Sequence, residues 1–235
     1  MKKLRIIFLI LVLILGFQVA AQAINAIPAL EIKIGEETTS FELTKGRTGY
    51  YLPETTFQTT EGSITVAMDS NIDPFITMAI GAVNNTGGNL GFAFAVALPI
   101  NLPPLPTIIN ASLVGGLTDS TGNGVSITPF LTAAILDNSV VPPGFTWGTG
   151  PAVAFGPGPA GAFYVYGPFA VGPAAGPVGG AMLFTESLSF ILSGNSDAAA
   201  LTAHCSINPI PVPPALVLMG SGLLGLVGWR KFRQS

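Results

Sequence analysis

Apolar and polar residues alternate over several short stretches of the chain, a pattern typical of β-strands that bury one face. The longest alternation covers residues 90–98, where Leu, Phe and Val side chains share one face while Gly and Ala fill the other. Clusters of Asn, Asp, Ser, Thr and Gly at residues 84–89, 119–124 and 194–197 favour turns. The pattern predicts an all-β, antiparallel β-sandwich, jelly-roll-like, with further strands at residues 63–68, 75–80, 108–117, 125–128, 182–193 and 199–207.

Two of the turn clusters lie between consecutive predicted strands. Residues 119–124 join the strand at 108–117 to that at 125–128, and residues 194–197 join the last two strands. Short turns rich in Gly and Asn are typical of hairpins. We therefore expect one antiparallel hairpin around each turn.

Residues 142–180 have a different composition. Nineteen of these 39 residues are Gly or Pro, with six Gly-Pro dipeptides but without the three-residue period of collagen. This composition predicts a long irregular Gly/Pro-rich loop inserted in the body, interrupted by one strand at residues 163–166. We expect its aromatic side chains to fill the core. The alternative is a flexible cover whose exposed rings stack on sugars, formed by Trp147, Phe155, Phe163, Tyr164, Tyr166 and Phe169.

The amino-terminal end has the pattern of a secretion signal. Three basic residues precede the apolar run at residues 6–17, and the small residues Ala21 and Ala23 follow it. Small residues at these two positions fit the groove of signal peptidase. We predict a signal peptide at residues 1–23, helical in its apolar part and removed after Ala23. A retained anchor is disfavoured because the run is shorter than the ~20 residues that span a bilayer.

The carboxy-terminal segment, residues 209–235, combines prolines, an apolar run and a basic end. A helix over residues 214–229 would be about 24 Å long at 1.5 Å per residue, just able to cross a membrane. Glycines at positions 222, 225 and 228 give it a smooth face for packing on another membrane helix. The basic residues would hold that end in the cytoplasm and leave the body outside. The proline cluster with its alanine is Pro211, Pro213, Pro214 and Ala215, the glycine face is Gly222, Gly225 and Gly228, and the basic end is Arg230, Lys231 and Arg233.

This segment resembles the PEP-CTERM sorting signal, in its variant that reads like Val-Pro-Leu-Pro-Pro-Ala. Val212 occupies the place between the prolines, and the glutamate that names the family is missing. The resemblance implies that an exosortase-like membrane protease or transpeptidase cuts near the proline cluster and discards the helix. It further implies a setting of extracellular polysaccharide or biofilm. Body segments such as residues 117–119 and 188–194 are similar to those of exported proteins that carry this tail.

Charge excludes one class of partner. Between the two predicted cuts, residues 24–208 hold three basic residues against all twelve carboxyl side chains of the chain, a formal charge of −9. Such a body is repelled by anionic polymers, so we expect no nucleic-acid partner.

Candidate chemistry is sparse in this body. Cys205 is the one cysteine and His204 the one histidine, which excludes a zinc site, and we expect an inward thiol beside a solvated imidazole. Residues 69–73 place oxygen side chains at alternate positions, as a calcium loop does. Pro74 and Ile80 stand where that loop needs glycine and glutamate, so a turn is expected instead, and a weaker calcium site from separate acidic residues stays open. The glycine pattern at residues 220–225 lacks the second strand of a nucleotide site.

These observations predict a body, residues 24–208, with no catalytic residues, cofactor or metal. We expect an exported cell-surface or extracellular-matrix protein with a structural role, whose partners are signal peptidase, an exosortase-like enzyme and extracellular polysaccharide. It would be anchored by its tail helix only until the cut. The alternative is a secreted glycan-binding module, which should expose aromatic rings in a concave patch. A secreted hydrolase would need carboxylates clustered in a cleft.

Overall fold

The computed structural model describes residues 28–71, 74–102, 105–137, 151–176 and 180–210, without the side chains of 129–137, 171 and 180–182. The described chain forms strands only, because alternating apolar residues recur along nearly its whole length. In chain order the strands are β1 (Ala29–Ile34), β2 (Glu37–Glu42), β3 (Thr44–Lys45), β4 (Tyr50–Gln58), β5 (Gly62–Asn71), β6 (Phe75–Asn84), β7 (Leu90–Leu102), β8 (Thr107–Asp119), β9 (Val125–Asp137), β10 (Val153–Phe155), β11 (Ala162–Ala175), β12 (Gly180–Leu192) and β13 (Asp197–Pro209).

These strands form two antiparallel sheets that enclose one core, the arrangement of a β-sandwich. The six-stranded sheet has the order β10-β9-β12-β7-β1-β2, and the seven-stranded sheet has the order β11-β8-β13-β6-β5-β4-β3. The all-β, antiparallel prediction is confirmed. The predicted terminal helices lie outside the described residues.

The core is built from the inward face of each strand. In β7 the predicted face, from Leu90 to Leu98, is buried throughout. Aromatic rings stack at its centre, where the ring centroid of Phe190 lies 5.3 Å from that of Phe92 and 6.2 Å from that of Phe94. The opposite sheet contributes Met78, Leu201 and further apolar side chains to the same cluster.

Both described chain ends lie at one end of the sandwich. The amide of Leu43 donates to the Pro28 carbonyl, and the amide of Ile210 donates to the Pro106 carbonyl, each at 2.8 Å. The end formed by Pro28, Ile210 and the loops at residues 43–49 and 105–106 is named the terminal pole. The opposite end is named the turn pole and is formed by residues 35–36, 59–61, 85–89, 120–124, 156–161 and 193–196.

The two predicted hairpins are wrong. The strands β8 and β9 occur in different sheets, and so do β12 and β13, although the turns between them fall where predicted. Each strand must bury one apolar face. The next strand can do so after a turn that crosses to the opposite sheet as well as after a hairpin turn within one sheet. Local composition marks the turn, and the sheet that the next strand joins is decided by non-local packing.

The prediction of an irregular loop is wrong for residues 153–155 and for most of residues 162–175, while residues 156–161 are irregular as predicted. Residues 162–175 form the long edge strand β11, which contains the predicted strand at 163–166 and pairs with β8. Its register shifts at two points, where Gly167 and Gly172 have φ of +91° and +109° and precede the cis prolines Pro168 and Pro173. Proline is tolerated at an edge strand and at bulges, because no ladder hydrogen bond is then lost.

Two strand glycines in the seven-stranded sheet give a matched test of this packing. A Cβ on Gly115 would overlap the carbonyl oxygen of Ala200 in the neighbouring strand and lie 2.9 Å from Leu201 Cα, whereas a Cβ on Gly81 would meet nothing closer than 3.9 Å. Gly115→Ala should lower the free energy of unfolding by about 2–3 kcal/mol through overpacking. Gly81→Ala should stay within about 1 kcal/mol of the wild type, since it mainly restricts the unfolded chain. Urea titration of both variants checks this, and equal midpoints would contradict the packing described.

Candidate functional site

Three turns at the turn pole carry the chain from one sheet to the other. Residues 85–89 connect β6 to β7, residues 120–124 connect β8 to β9, and residues 193–196 connect β12 to β13. Each turn has a polar side chain that is fully buried beside it: Asn84, Asp119 and Asp197. The sequence predicts these turns, and the structure shows that all three meet at one pole.

Asn84 joins the first turn to the third. Its Nδ2 donates to the carbonyls of Gly88, Leu192 and Ser193 at 2.8–2.9 Å. Its Oδ1 accepts from the amide and the hydroxyl of Thr86 at 2.9 and 2.8 Å. The two hydrogens of one amide group, carried by the seven-stranded sheet, are therefore shared among a carbonyl at the end of β12 in the other sheet and carbonyls of two turns.

Asp119 closes the second turn. One carboxylate oxygen accepts from the amide of Gly122 at 2.7 Å and from that of Thr121 at 3.3 Å, and the other accepts from the amide of Gly124 at 2.7 Å. Gly122 and Gly124 have φ of +82° and +97°, so this turn needs glycine at both positions.

Asp197 connects the second and third turns. It accepts from the hydroxyl of Ser193 at 2.6 Å and from the amide of Ser120 at 3.3 Å. Burial raises the pKa of Asp197, the two hydrogen bonds lower it, and the nearby Asp119 carboxylate raises it further. The two carboxylates are engaged by the turns themselves, which makes this pole a structural cluster. In the part of the chain described, no three His, Cys, Asp or Glu side chains lie close enough together to hold a metal ion.

Glu186 is a second notable carboxyl group, and it lies in the middle of the core. It is 0% exposed on the inward face of β12, between Phe184 and Leu188. Neither carboxyl oxygen makes a hydrogen bond of good geometry. Desolvation raises the pKa of Glu186 to about 8, against the interaction with the nearby Cys205 thiol of the opposite sheet, which lowers it.

The environment of Cys205 makes its thiol unreactive. The side chain is fully buried, and the pKa of the thiol is raised by desolvation and by the Glu186 carboxyl. The thiolate is the nucleophile of cysteine chemistry, so a thiol held in this way is inert. The prediction of an inward thiol that packs as a small hydrophobe is confirmed.

His204 lies on the outer face of the same strand and is partly exposed. Its Nδ1 is 2.8 Å from the Thr77 hydroxyl, and its ring centroid is 6.0 Å from that of Phe75. Partial burial lowers its pKa. The imidazole has a hydroxyl and an aromatic ring as neighbours, and this arrangement stabilises the sheet surface without supplying a nucleophile.

The terminal pole contains a cavity of about 500 Å³ between the ends of the two sheets. Its lining is mostly apolar, with Tyr50, Phe75, Ile100 and Phe184, together with the polar side chains of Ser70 and Asn101. This size and composition fall in the range of small-molecule sites. The cavity could not be predicted from the sequence, because its lining comes from five strands of both sheets, β4, β5, β6, β7 and β12.

The aromatic residues of the Gly/Pro-rich segment are divided between the core and the surface. Tyr166 is fully buried and donates to the Pro151 carbonyl at 3.0 Å, and Phe155, Tyr164 and Phe169 pack against the core, so core filling is confirmed for these. Phe163 is 65% exposed, and the prediction is wrong for it. Trp147 lies outside the described residues.

The predicted sorting and processing residues fall outside the described part of the chain. These are Ala21 and Ala23 at one end, and the proline cluster, the glycine face and the basic residues at the other. Within the described residues, no helix is long and apolar enough to cross a membrane. Asp69 and Asn71, expected in a turn, lie in strand β5, and Asp73 is not described.

No family model matches the chain, and no curated protein matches it. Among solved structures, the chain is similar over 67% of its length to the enzymatically active domain of tailspike protein 4 of bacteriophage CBA120, at 12% identity and a TM-score of 0.26. It spans 19% of that tailspike chain. It is also similar to a chain of infectious bursal disease virus, Gx strain, at 10% identity, 81% and 63% coverage of the two chains and a TM-score of 0.17. Likenesses this weak carry no argument about activity.

Replacing Asp119 tests the turn cluster. Asp119→Ala leaves three backbone amides without their acceptor, and we expect a loss of about 2–3 kcal/mol in the free energy of unfolding. Asn123→Ala is the matched control, because Asn123 is exposed in the same turn and accepts one hydroxyl hydrogen bond from Thr121. It should change stability by less than about 0.5 kcal/mol. Denaturant midpoints measure both, and a similar loss in the two variants would show that Asp119 does not hold the turn.

Glu186 should make stability depend on pH. Its folded-state pKa of about 8 lies above the ordinary value of 4.5, so the folded protein binds the proton more tightly than the unfolded chain. The stabilisation of the folded state by this tighter proton binding is fully present below pH 4.5 and is lost as pH rises towards 8. The loss has a slope of up to ~1.4 kcal/mol per pH unit.

The comparison of Glu186→Gln with the wild type isolates this effect, because the amide keeps the shape of the side chain and does not titrate. The difference in unfolding free energy should shift in favour of the variant as pH rises from 4.5 to 8. Glu37→Gln, at an exposed position of the edge strand β2, is the control and should follow the wild-type curve. Parallel curves of unfolding free energy against pH for Glu186→Gln and the wild type would contradict this, since they would mean that Glu186 is already ionised in the folded protein over this pH range.

Proposed function

We propose that this chain is an exported bacterial cell-surface or extracellular-matrix protein with a structural role. The support for export is the sequence pattern at its two ends, two apolar segments flanked by positive charge. Signal peptidase would cut after Ala23, and an exosortase-like enzyme would cut near Pro211, Pro213, Pro214 and Ala215. The product would be the acidic β-sandwich, jelly-roll-like in its winding, released from a helix that had crossed the membrane.

The placement of the aromatic rings supports a structural role for the body. Phe92, Phe94, Phe184, Phe190 and Tyr166 are at most 1% exposed. Among the described residues, Tyr51 and Phe163 are the aromatic side chains that are well exposed. They lie on β4 and β11, which four strands separate in the seven-stranded sheet, so they form no common patch. A protein that puts its rings between its sheets uses them for stability, and this observation favours the structural proposal.

We propose that this chain is not an enzyme. The carboxylates at the turn pole are occupied by backbone amides and hydroxyls, the thiol is buried, and the imidazole is paired with a threonine hydroxyl. We propose no cofactor. Extracellular polysaccharide is proposed as the surrounding partner, on the strength of the tail's resemblance, and nucleic acid is not a partner of so acidic a body.

A secreted glycan-binding module is the second candidate, and the terminal-pole cavity is the observation that favours it. Tyr50 and Phe75 line it with aromatic rings, and Asn101 lines it with an amide, a group that bonds sugar hydroxyls. A glycan array with the mature protein separates the two functions. Binding that is lost in Phe75→Ala would favour the module, and the absence of binding across the array would favour the structural role.

The proline cluster tests the sorting proposal. In the native host, Pro213→Ala/Pro214→Ala should leave the protein in the membrane fraction with its tail attached, because the processing enzyme no longer recognises the segment. Pro157→Ala/Pro159→Ala is the matched control, since these two prolines are exposed in a loop at the turn pole. Mass spectrometry of the membrane and extracellular fractions gives the carboxy terminus in each case. Release of the first variant at the wild-type mass would refute the assignment of the motif.

A further inference from the structure

The terminal pole carries both described ends of the chain, and this limits where the body can lie relative to a membrane. Ile210 is fixed by its hydrogen bond to the Pro106 carbonyl, and Pro28 by its bond from Leu43. Ile210 and the first residue of the proposed tail helix, Pro214, are four residues apart. At 3.6 Å per residue, that linker spans at most about 14 Å. If the tail helix crosses the membrane, the terminal pole cannot move far from the bilayer surface.

The surface of this pole is suited to a lipid headgroup layer. Of the large apolar side chains that are well exposed among the described residues, Tyr51 (43%), Leu105 (37%) and Ile210 (41%) lie at the terminal pole. The others, Val114, Phe163 and Val165, lie on the strands β8 and β11. The described loops of the turn pole expose no large apolar side chain to this extent. Tyrosine and aliphatic side chains of this kind enter the membrane interface readily.

The charged side chains described at this pole contribute little net attraction to lipid. Lys45 and Arg47 are exposed in its loop, and the acidic residues Glu42 and Asp69 are exposed near them. The four formal charges cancel, so attraction to anionic lipids is local, although the two cations can reach phosphate groups. The contact of the terminal pole with the bilayer therefore depends on the short linker and the apolar side chains.

We propose that, while the tail is in the membrane, the terminal pole rests on the outer surface of the bilayer with Tyr51, Leu105 and Ile210 in the headgroup layer. The turn pole then points away from the membrane. Strands such as β12, with thirteen residues, separate the two poles by about 40 Å at ~3.3 Å per residue. This inference rests on the proposed function, since it requires the tail helix to be inserted.

The test uses the full chain with its tail, reconstituted into vesicles of phosphatidylethanolamine and phosphatidylglycerol. Leu105→Cys and Gly87→Cys each receive a fluorescent label, one at each pole. Gly87 is the matched control because it is exposed in a turn and a Cβ there meets nothing within 4 Å. The wild type gives the background, since Cys205 is buried and should not be labelled. Lipids with a nitroxide near the glycerol backbone quench from both leaflets, so the direction of insertion does not affect the reading.

The label at position 105 should be quenched by the lipid nitroxide several-fold more than the label at position 87. Leu105→Cys in a Tyr51→Ser/Ile210→Ser background should lose part of that quenching, because two of the apolar contacts are gone. Equal and weak quenching at both positions, in protein that resists carbonate extraction, would overturn the inference and leave the proposed function intact. Shielding of position 105 from an aqueous quencher without quenching by lipid would also overturn it, in favour of a protein contact. Complete extraction by carbonate would overturn both proposals.

Discussion

The sandwich depends on how its chain passes between the two sheets at the turn pole. A chain that leaves one sheet for the other interrupts its ladder of hydrogen bonds close to the core, where free amides and carbonyls are costly. Asn84, Asp119 and Asp197 supply the missing partners from fully buried positions. The three turns are linked to each other by these groups, since Asn84 contacts the carbonyls of Leu192 and Ser193 and Asp197 contacts Ser120. The cluster therefore holds the three crossings together at one end of the sandwich.

With these three polar groups at the end of the sandwich, the middle of the core is almost wholly apolar. Phenylalanine rings from β7 and β12 stack there, and Tyr166 directs its hydroxyl to the Pro151 carbonyl. Glu186 is the exception, a carboxyl group with no good hydrogen bond and a buried thiol as its neighbour. Burying a group of this kind is expensive unless it is neutral, and the raised pKa of Glu186 is the expression of that cost.

The parts of the fold that local sequence determines could be predicted, and the parts that depend on distant contacts could not. The strand at residues 90–98 and the three turns follow from alternation and turn-forming residues, because both are local properties. The partner of each strand is not local, so the crossings of β8 to β9 and β12 to β13 were mistaken for hairpins. The Gly-Pro dipeptides led to the wrong prediction of a loop for residues that form β11. Prolines are tolerated in an edge strand with bulges, although they are not in a central strand. Glu186 could have been noticed as a single acid in an apolar register between Phe184 and Leu188.

The placement of the chain ends bears on the proposed processing. The strands β1 and β13 are interior strands of their sheets, with β1 between β7 and β2 and β13 between β8 and β6. Removing an interior strand would break two ladders, but the proposed cuts fall before Pro28 and after Ile210, beyond the last hydrogen bonds that tie these strands to the terminal pole. Cutting there breaks no ladder of the described sheets. Neither step therefore removes a residue of the crossing turns or of the core as described.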